Sequence, residues 1–372
     1  MNTLLHKSNA PGRIFGLDLI RAVAIGLVLL SHFAKTVDVF GFIGVEIFFG
    51  LSGYLIGNIL WRSFSSSWSI DTILNFWSRR WWRTLPSYYL FLLVFTLIAT
   101  VTSETLPPLN ELTKFIWFGQ SFTQHYSWFY GVSWSLCIEE WFYLSFPALL
   151  FIISLVNKNK RTTYALAILS IFVFSFATKW ALYGEGVADD LRLITVARLD
   201  AIACGLLIAY LEKVSSSAIV YKKIFPLTGI LLLAGLFSTI VSNRLSVKAI
   251  ESSPYLLTLF PLAFSLLLPF FNSIKKPYKL NAVVANWIEN VSLWSYSIYL
   301  SHMAILSIIY FLQDTFLDFD IRATTLGNIA TKSTGMILIL LVSSFLYKYV
   351  ELPFMRKRPA ELDYTKSQVN FS

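Results

Sequence analysis

The chain has 372 residues, of which 56% are hydrophobic and 14% charged, with a formal net charge of +9. A soluble core of this size cannot bury that much apolar surface, so lipid must cover the remainder. A positive balance can mean a nucleic-acid partner, but here the Lys and Arg residues sit in short loops between apolar runs and form no basic domain, which argues against one and fits membrane orientation better.

A bilayer crossing takes about 20 apolar residues. The sequence therefore predicts an all-α polytopic membrane protein with about ten transmembrane helices, near 16–34, 40–60, 84–102, 134–156, 162–182, 193–211, 225–242, 255–272, 290–311 and 333–350. The first segment does not read as a cleavable leader, since Asp18 and Arg21 interrupt it, no small-residue cleavage site follows and further spans come after. An even number of spans with both termini cytoplasmic collects most Lys and Arg residues inside, in the 61–83 loop, at 158–161, 213–223 and 275–279, and in the tail; Lys35, Lys114, Lys179, Arg192 and a few others fall outside. The membrane domain is expected over 1–355, followed by a short polar cytoplasmic tail over 356–372, with no second domain.

Charged residues that a membrane should exclude are the informative ones, because they face a bundle interior or wet cavity when they survive. The first helix carries Asp18, Arg21 and His32. Eleven steps of about 100° return to nearly the same face, so Arg21 and His32 look into one groove, about 16 Å apart along the axis. Arg21 is thus too far away to orient the imidazole, whereas Asp18, three residues before it, is placed to pair with it. A histidine near its ordinary pKa is the usual general base toward a hydroxyl, and His32 lies at the outer end of the span.

The second span, GFIGVEIFFGLSGYLIGNIL, carries glycines that let helices approach closely, with Ser52 able to hydrogen-bond there. Glu46 stands either near an interface or in the polar groove. The 61–83 loop ends in Arg79, Arg80 and Arg83, a compact guanidinium cluster that suits phosphate oxygens or, equally, anionic headgroups beside interfacial tryptophans. The 103–133 segment, with Pro107, Pro108, His125, Tyr126, Trp128 and Tyr130, reads as an aromatic membrane belt or as a sugar-stacking surface. Glu139 and Glu140 lie side by side in the fourth span, where at least one must pair with an arginine such as Arg198 or stay protonated. Arg198 and Asp200, two apart in the sixth span, do not face each other and need partners elsewhere. The ninth span adds Ser297, Tyr299 and His302, and the tenth closes on Tyr349, Glu351 and Pro353. Cys137 and Cys204, each inside an apolar stretch, suggest neither a disulfide framework nor a metal site.

In this order the segments LDLIRAVAIGLVLLSH, GVEIFFGLSGYLI, RRWWRTLPSYY, WSLCIEEWFY, RLDAIACG, SYSIYLSHM and YVELP resemble the acyltransferase 3 family along nearly the whole chain. The resemblance implies a ten-helix membrane enzyme that moves an acyl group, commonly acetyl, from cytoplasmic acyl-CoA to a hydroxyl, usually on a glycan at the outer face. It implies acyl-CoA as donor substrate with no bound cofactor, and membrane lipids and a glycan such as O-antigen or exopolysaccharide as partners in a bacterial inner membrane. The family's essential histidine falls on His32, its paired arginine on Arg21, its arginine-rich segment on Arg79, Arg80 and Arg83, and its WSLxxE glutamate on Glu139. Asp18, Ser52, Arg198, Asp200, Tyr299 and His302 are left as a supporting polar groove. Leu19 and Ala22 stand where the family commonly has glycines, and Ser301 where it often has Trp, changes that bear on pocket shape and acceptor. Buried Arg, Asp, Glu and His also line transport paths, so a transporter or flippase is the alternative; that reading predicts inverted repeats, and none is visible. The sequence leaves the oligomeric state open.

Overall fold

With no water to satisfy backbone N–H and C=O groups, apolar runs in lipid close their hydrogen bonds internally and become helices. The computed structural model describes residues 13–33, 38–102, 106–123, 129–184, 191–277, 280–317 and 321–362, and contains no strand among them. The long helices are α1 (Phe15–Phe33), α2 (Asp38–Ser66), α3 (Ile70–Val101), α4 (Ser133–Val156), α5 (Lys160–Gly184), α6 (Thr195–Val214), α7 (Phe225–Ser242), α8 (Leu256–Ser273), α9 (Ala282–Phe316) and α10 (Thr325–Leu346). Each expected span falls on one of them.

Among the described residues, nine helices are long and apolar enough to cross a membrane. The remaining expected span is α6, which carries Arg198, Asp200, Glu212 and Lys213 and buries nearly its whole length inside the bundle. It packs most extensively on α2. That contact depends on glycine: a Cβ on Gly53 would lie 1.9 Å from the Ile202 carbonyl oxygen, and one on Gly205 would lie 1.9 Å from that of Gly50. Neither position can hold a side chain without parting the helices.

The expected 61–83 loop is not a loop. α2 runs on to Ser66 and α3 starts at Ile70, its first turn capped by Ser69 Oγ accepting from the Thr72 amide at 3.3 Å. Ile73, Phe76, Thr84, Ser87 and Tyr88 recur at helical spacing and bury one face, which carries the helix through the arginine cluster. Its 32 residues, at about 1.5 Å each, make a helix of about 48 Å, longer than a hydrocarbon core of about 30 Å. In the aromatic segment Tyr130 is a core residue, fully buried against Tyr88 and Phe95. His125, Tyr126 and Trp128 lie outside the described residues, as do Lys35 and the last ten residues of the tail.

Candidate functional site

The site is organised by α1 lying alongside α9. At one level Arg21 Nη1 is 3.5 Å from Ser292 Oγ, and that hydroxyl donates to Asp18 Oδ1 at 2.7 Å. Asp18 holds Arg13 at 2.8 Å more closely than it holds Arg21, whose nearest nitrogen is 3.9 Å away, so its expected pairing with Arg21 is shared with a residue ahead of the helix. Ten residues further along α9, His302 meets His32, with ring centroids 4.8 Å apart and planes tilted by 46°. Arg21 and His32 therefore share a face, as their spacing requires. His302 is fully buried, its Nδ1 lying 3.2 Å from the Ile298 carbonyl and its Nε2 making no hydrogen bond among the described residues. A carbonyl only accepts, so Nδ1 carries the proton and Nε2 presents a lone pair. His32 is exposed in the last turn of α1.

A cavity of about 630 Å³ opens between α1, α2, α3, α4 and α9, within the size range of small-molecule sites. Its wall includes Arg21, Ser52, Arg79, Arg80, Arg83, Glu139 and Tyr299. Ser52 donates to Glu139 Oε1 at 3.0 Å and Tyr143 donates to Oε2 at 3.1 Å, while the Ser52 and Tyr143 oxygens are 2.8 Å apart, closing a triangle. The Arg80 guanidinium lies 5.0 Å from the Tyr143 ring centroid, which ties α3 to the carboxylate. Tyr299, whose hydroxyl shares a hydrogen with Ser135 Oγ at 2.6 Å, lines the cavity and sets its ring 5.9 Å from that of His302. Neither His32 nor His302 is on the wall; Tyr299, a wall residue one helical turn from His302 on α9, links the cavity to the pair by its ring contact.

Two of the expected groove residues belong elsewhere. Arg198 does not meet Glu139 or Glu140: it places Nη2 2.6 Å from both Glu46 oxygens and donates to the Leu257 carbonyl. The close α2–α6 contact leaves Glu46 as the acid within reach. Asp200 pairs with Lys179 and accepts from Thr258 Oγ1 at 2.6 Å. Lys179, expected in an outer loop, lies instead within α5 and is fully buried. All four charged groups are buried between α2, α5, α6 and α8 and none lines the cavity, so they hold the bundle together. The Ser297 hydroxyl bonds Glu351 in the same structural manner.

Sequence reasoning passed over several residues of the wall: Arg62, Ser135, Tyr143, Arg358 and Glu361. Tyr143 and Ser135 stand four residues to either side of Glu139, the helical spacing that puts side chains on one face, and that signal was available. The tail residues gave none, since only the fold brings 357–362 back to α2 and α3.

Fold and site define a polytopic helical membrane protein with an arginine-lined cavity, one wall residue of which, Tyr299, packs against a histidine pair. The chain belongs to the acyltransferase 3 family, whose model, an acyltransferase domain, matches residues 14–348. It is similar to YrhL of Bacillus subtilis (strain 168), provisionally named a peptidoglycan O-acetyltransferase, at 31% identity over 204 residues, which are 51% of this chain and 32% of that protein. It is similar also to the O-acetyltransferase OatA of Staphylococcus aureus (strain NCTC 8325 / PS 47), at 27% identity over 263 residues, 63% of this chain and 42% of OatA. The matched part is thus less than half the length of either relative. No solved structure matches the chain.

Proposed function

We propose that the chain is a membrane O-acyltransferase that moves an acyl group, acetyl by preference, from acyl-CoA to a sugar hydroxyl of a cell-surface glycan. The observation that carries this reading is the cavity, which joins the guanidinium groups of α3 to Tyr299, the neighbour of His302. The Arg79, Arg80 and Arg83 side chains take the phosphates of the donor, and the pantetheine arm follows the cavity toward the histidines. His32, exposed while His302 is buried behind it, accepts the proton of an acceptor hydroxyl arriving from the opposite side. The oxygen then attacks the thioester carbonyl, the C–O bond forms, the C–S bond breaks, and the proton passes from His32 to the departing CoA thiolate. Glu139, fixed by Ser52 and Tyr143, offsets the charge of Arg80 along this path.

We further place the arginine end of the cavity on the cytoplasmic side, with ten crossings. Two contacts support an even count that includes α6. Arg21 meets Ser292 while His32 meets His302, so α1 and α9 run parallel. Arg62 near the end of α2 pairs with Glu361 beyond α10, so both helices end on one face. If α6 did not cross, each relation would reverse.

Similarity to the relatives supports acetyl as the group transferred, and the name of YrhL puts peptidoglycan beside O-antigen and exopolysaccharide among the acceptors to test. In detergent, the purified protein should release free CoA from acetyl-CoA in the presence of one of these glycans, and His32→Ala should lower that rate by about a hundredfold or more. Undiminished release by His32→Ala would remove the base. Absence of CoA binding would favour a transporter.

A further inference from the structure

Beyond α10 the chain does not leave the bundle. After a helical turn at Leu352–Arg356, residues 357–362 turn back over the start of α3. Asn75 Nδ2 donates to the Ala360 carbonyl at 3.0 Å, and Arg79 donates to the carbonyl of Pro359. Glu361 pairs with Arg62 and lies 3.7 Å from Arg79. Arg358 and Glu361 line the same cavity as Arg80 and Arg83. A second hollow of about 320 Å³ adjoins it, with Arg79, Arg356 and Arg358 in its wall.

The charges at this mouth do not balance. Arg83 and Arg358 have no ion pair among the described residues, and Glu361 is the carboxylate that Arg62 and Arg79 use. Burial and the nearby Arg79 and Arg83 lower the pKa of Arg358, a sign that like charges are crowded there. Guanidinium groups gathered on two adjoining hollows, beyond what one carboxylate neutralises, suit a ligand with several phosphate oxygens.

We propose that the tail is part of the donor site: Arg358 binds a phosphate of the nucleotide end of acyl-CoA, and Glu361 is a built-in competitor that releases Arg62 and Arg79 when that phosphate arrives. This rests on the reading of the cavity as the donor site. Glu361 and Arg62 are both well exposed, and exposed pairs are weak, so the competitor can be displaced. It screens the arginines from casual anions and lowers the apparent affinity by the fraction of time it occupies them.

The test is titration of CoA into the full-length protein in neutral detergent, at low and high salt. Glu361→Gln should tighten CoA binding by about two- to fivefold. Arg358→Ala should weaken it by about tenfold, with Arg358→Lys recovering part, and the differences should shrink at high salt. Wild-type affinity in both Glu361→Gln and Arg358→Ala, alongside loss of binding in Arg83→Ala, would overturn the role of the tail and leave the donor site standing. No CoA binding by the wild type would overturn both. A repeat with phosphatidylglycerol in the micelles separates the two sources of phosphate: the same CoA differences should persist. Displacement of CoA by the lipid, relieved in Arg358→Ala, would make a headgroup the ligand and overturn the proposal.

Discussion

Glu139 and Arg198 are both charges inside the membrane bundle, and they call for opposite expectations on substitution. Glu139 faces the cavity and is held by two hydroxyls. Glu139→Gln should leave the protein folded and lower kcat/KM for acetyl transfer by about tenfold to a hundredfold, the worth of a charge-assisted contact. Tyr143→Phe, which removes one of the two hydrogen bonds, should cost less. Arg198 is sealed against Glu46. Arg198→Met should destabilise the protein by about 3–5 kcal/mol, because it strands a buried carboxylate, and adding Glu46→Leu should recover much of the loss. Thermal unfolding in detergent, read beside turnover, separates the two classes. That these positions matter was legible from the sequence, since lipid excludes unpaired charge. Which acid each arginine would meet was not: the sequence pointed Arg198 to Glu139 or Glu140, and helix packing gave it Glu46 instead.

At the scale of elements, the α2–α6 contact is the rigid centre against which the cavity is built. Ser52 points into the cavity from α2, one residue before Gly53, which touches α6. Gly53→Ala would drive a methyl group into the Ile202 carbonyl and force the helices apart, an overpacking that should cost about 1–3 kcal/mol. It should also move Ser52 away from Glu139, so CoA affinity should fall together with the unfolding temperature. Gly26→Ala is the control, since a Cβ at Gly26 meets nothing within 4 Å and should change neither. The glycine pattern of α2 announced close packing in the sequence, and every expected span fell on a helix. The 61–83 region misled because loops were inferred from polarity. Its arginines interrupt the hydropathy while Ile73 and Phe76 keep the helical period, and the period decided the structure.

For the whole molecule, the proposed separation of donor from acceptor depends on which face meets the cytoplasm, and the proposed ten crossings make this testable at two exposed positions. Cys137 and Cys204 are free and buried, so the wild type should give a low background with a membrane-impermeant thiol reagent. Ser66 ends α2 on the face of Arg62 and the tail, and Ala323 precedes α10 at its other end. Ser66→Cys should be labelled in inside-out vesicles and protected in right-side-out ones, and Ala323→Cys should show the reverse. Labelling of both from one side would mean that an even number of segments crosses between them, as if α6 did not span, which is incompatible with parallel α1 and α9. The opposite polarity would put the arginines outside, away from cytoplasmic acyl-CoA, and would remove the physical basis for reading them as a donor site. Under the proposed function, the expected polarity would let a soluble thioester enter from one face and a glycan hydroxyl approach His32 from the other, so that the acyl group would cross the bilayer without the donor leaving the cytoplasmic half of the cavity.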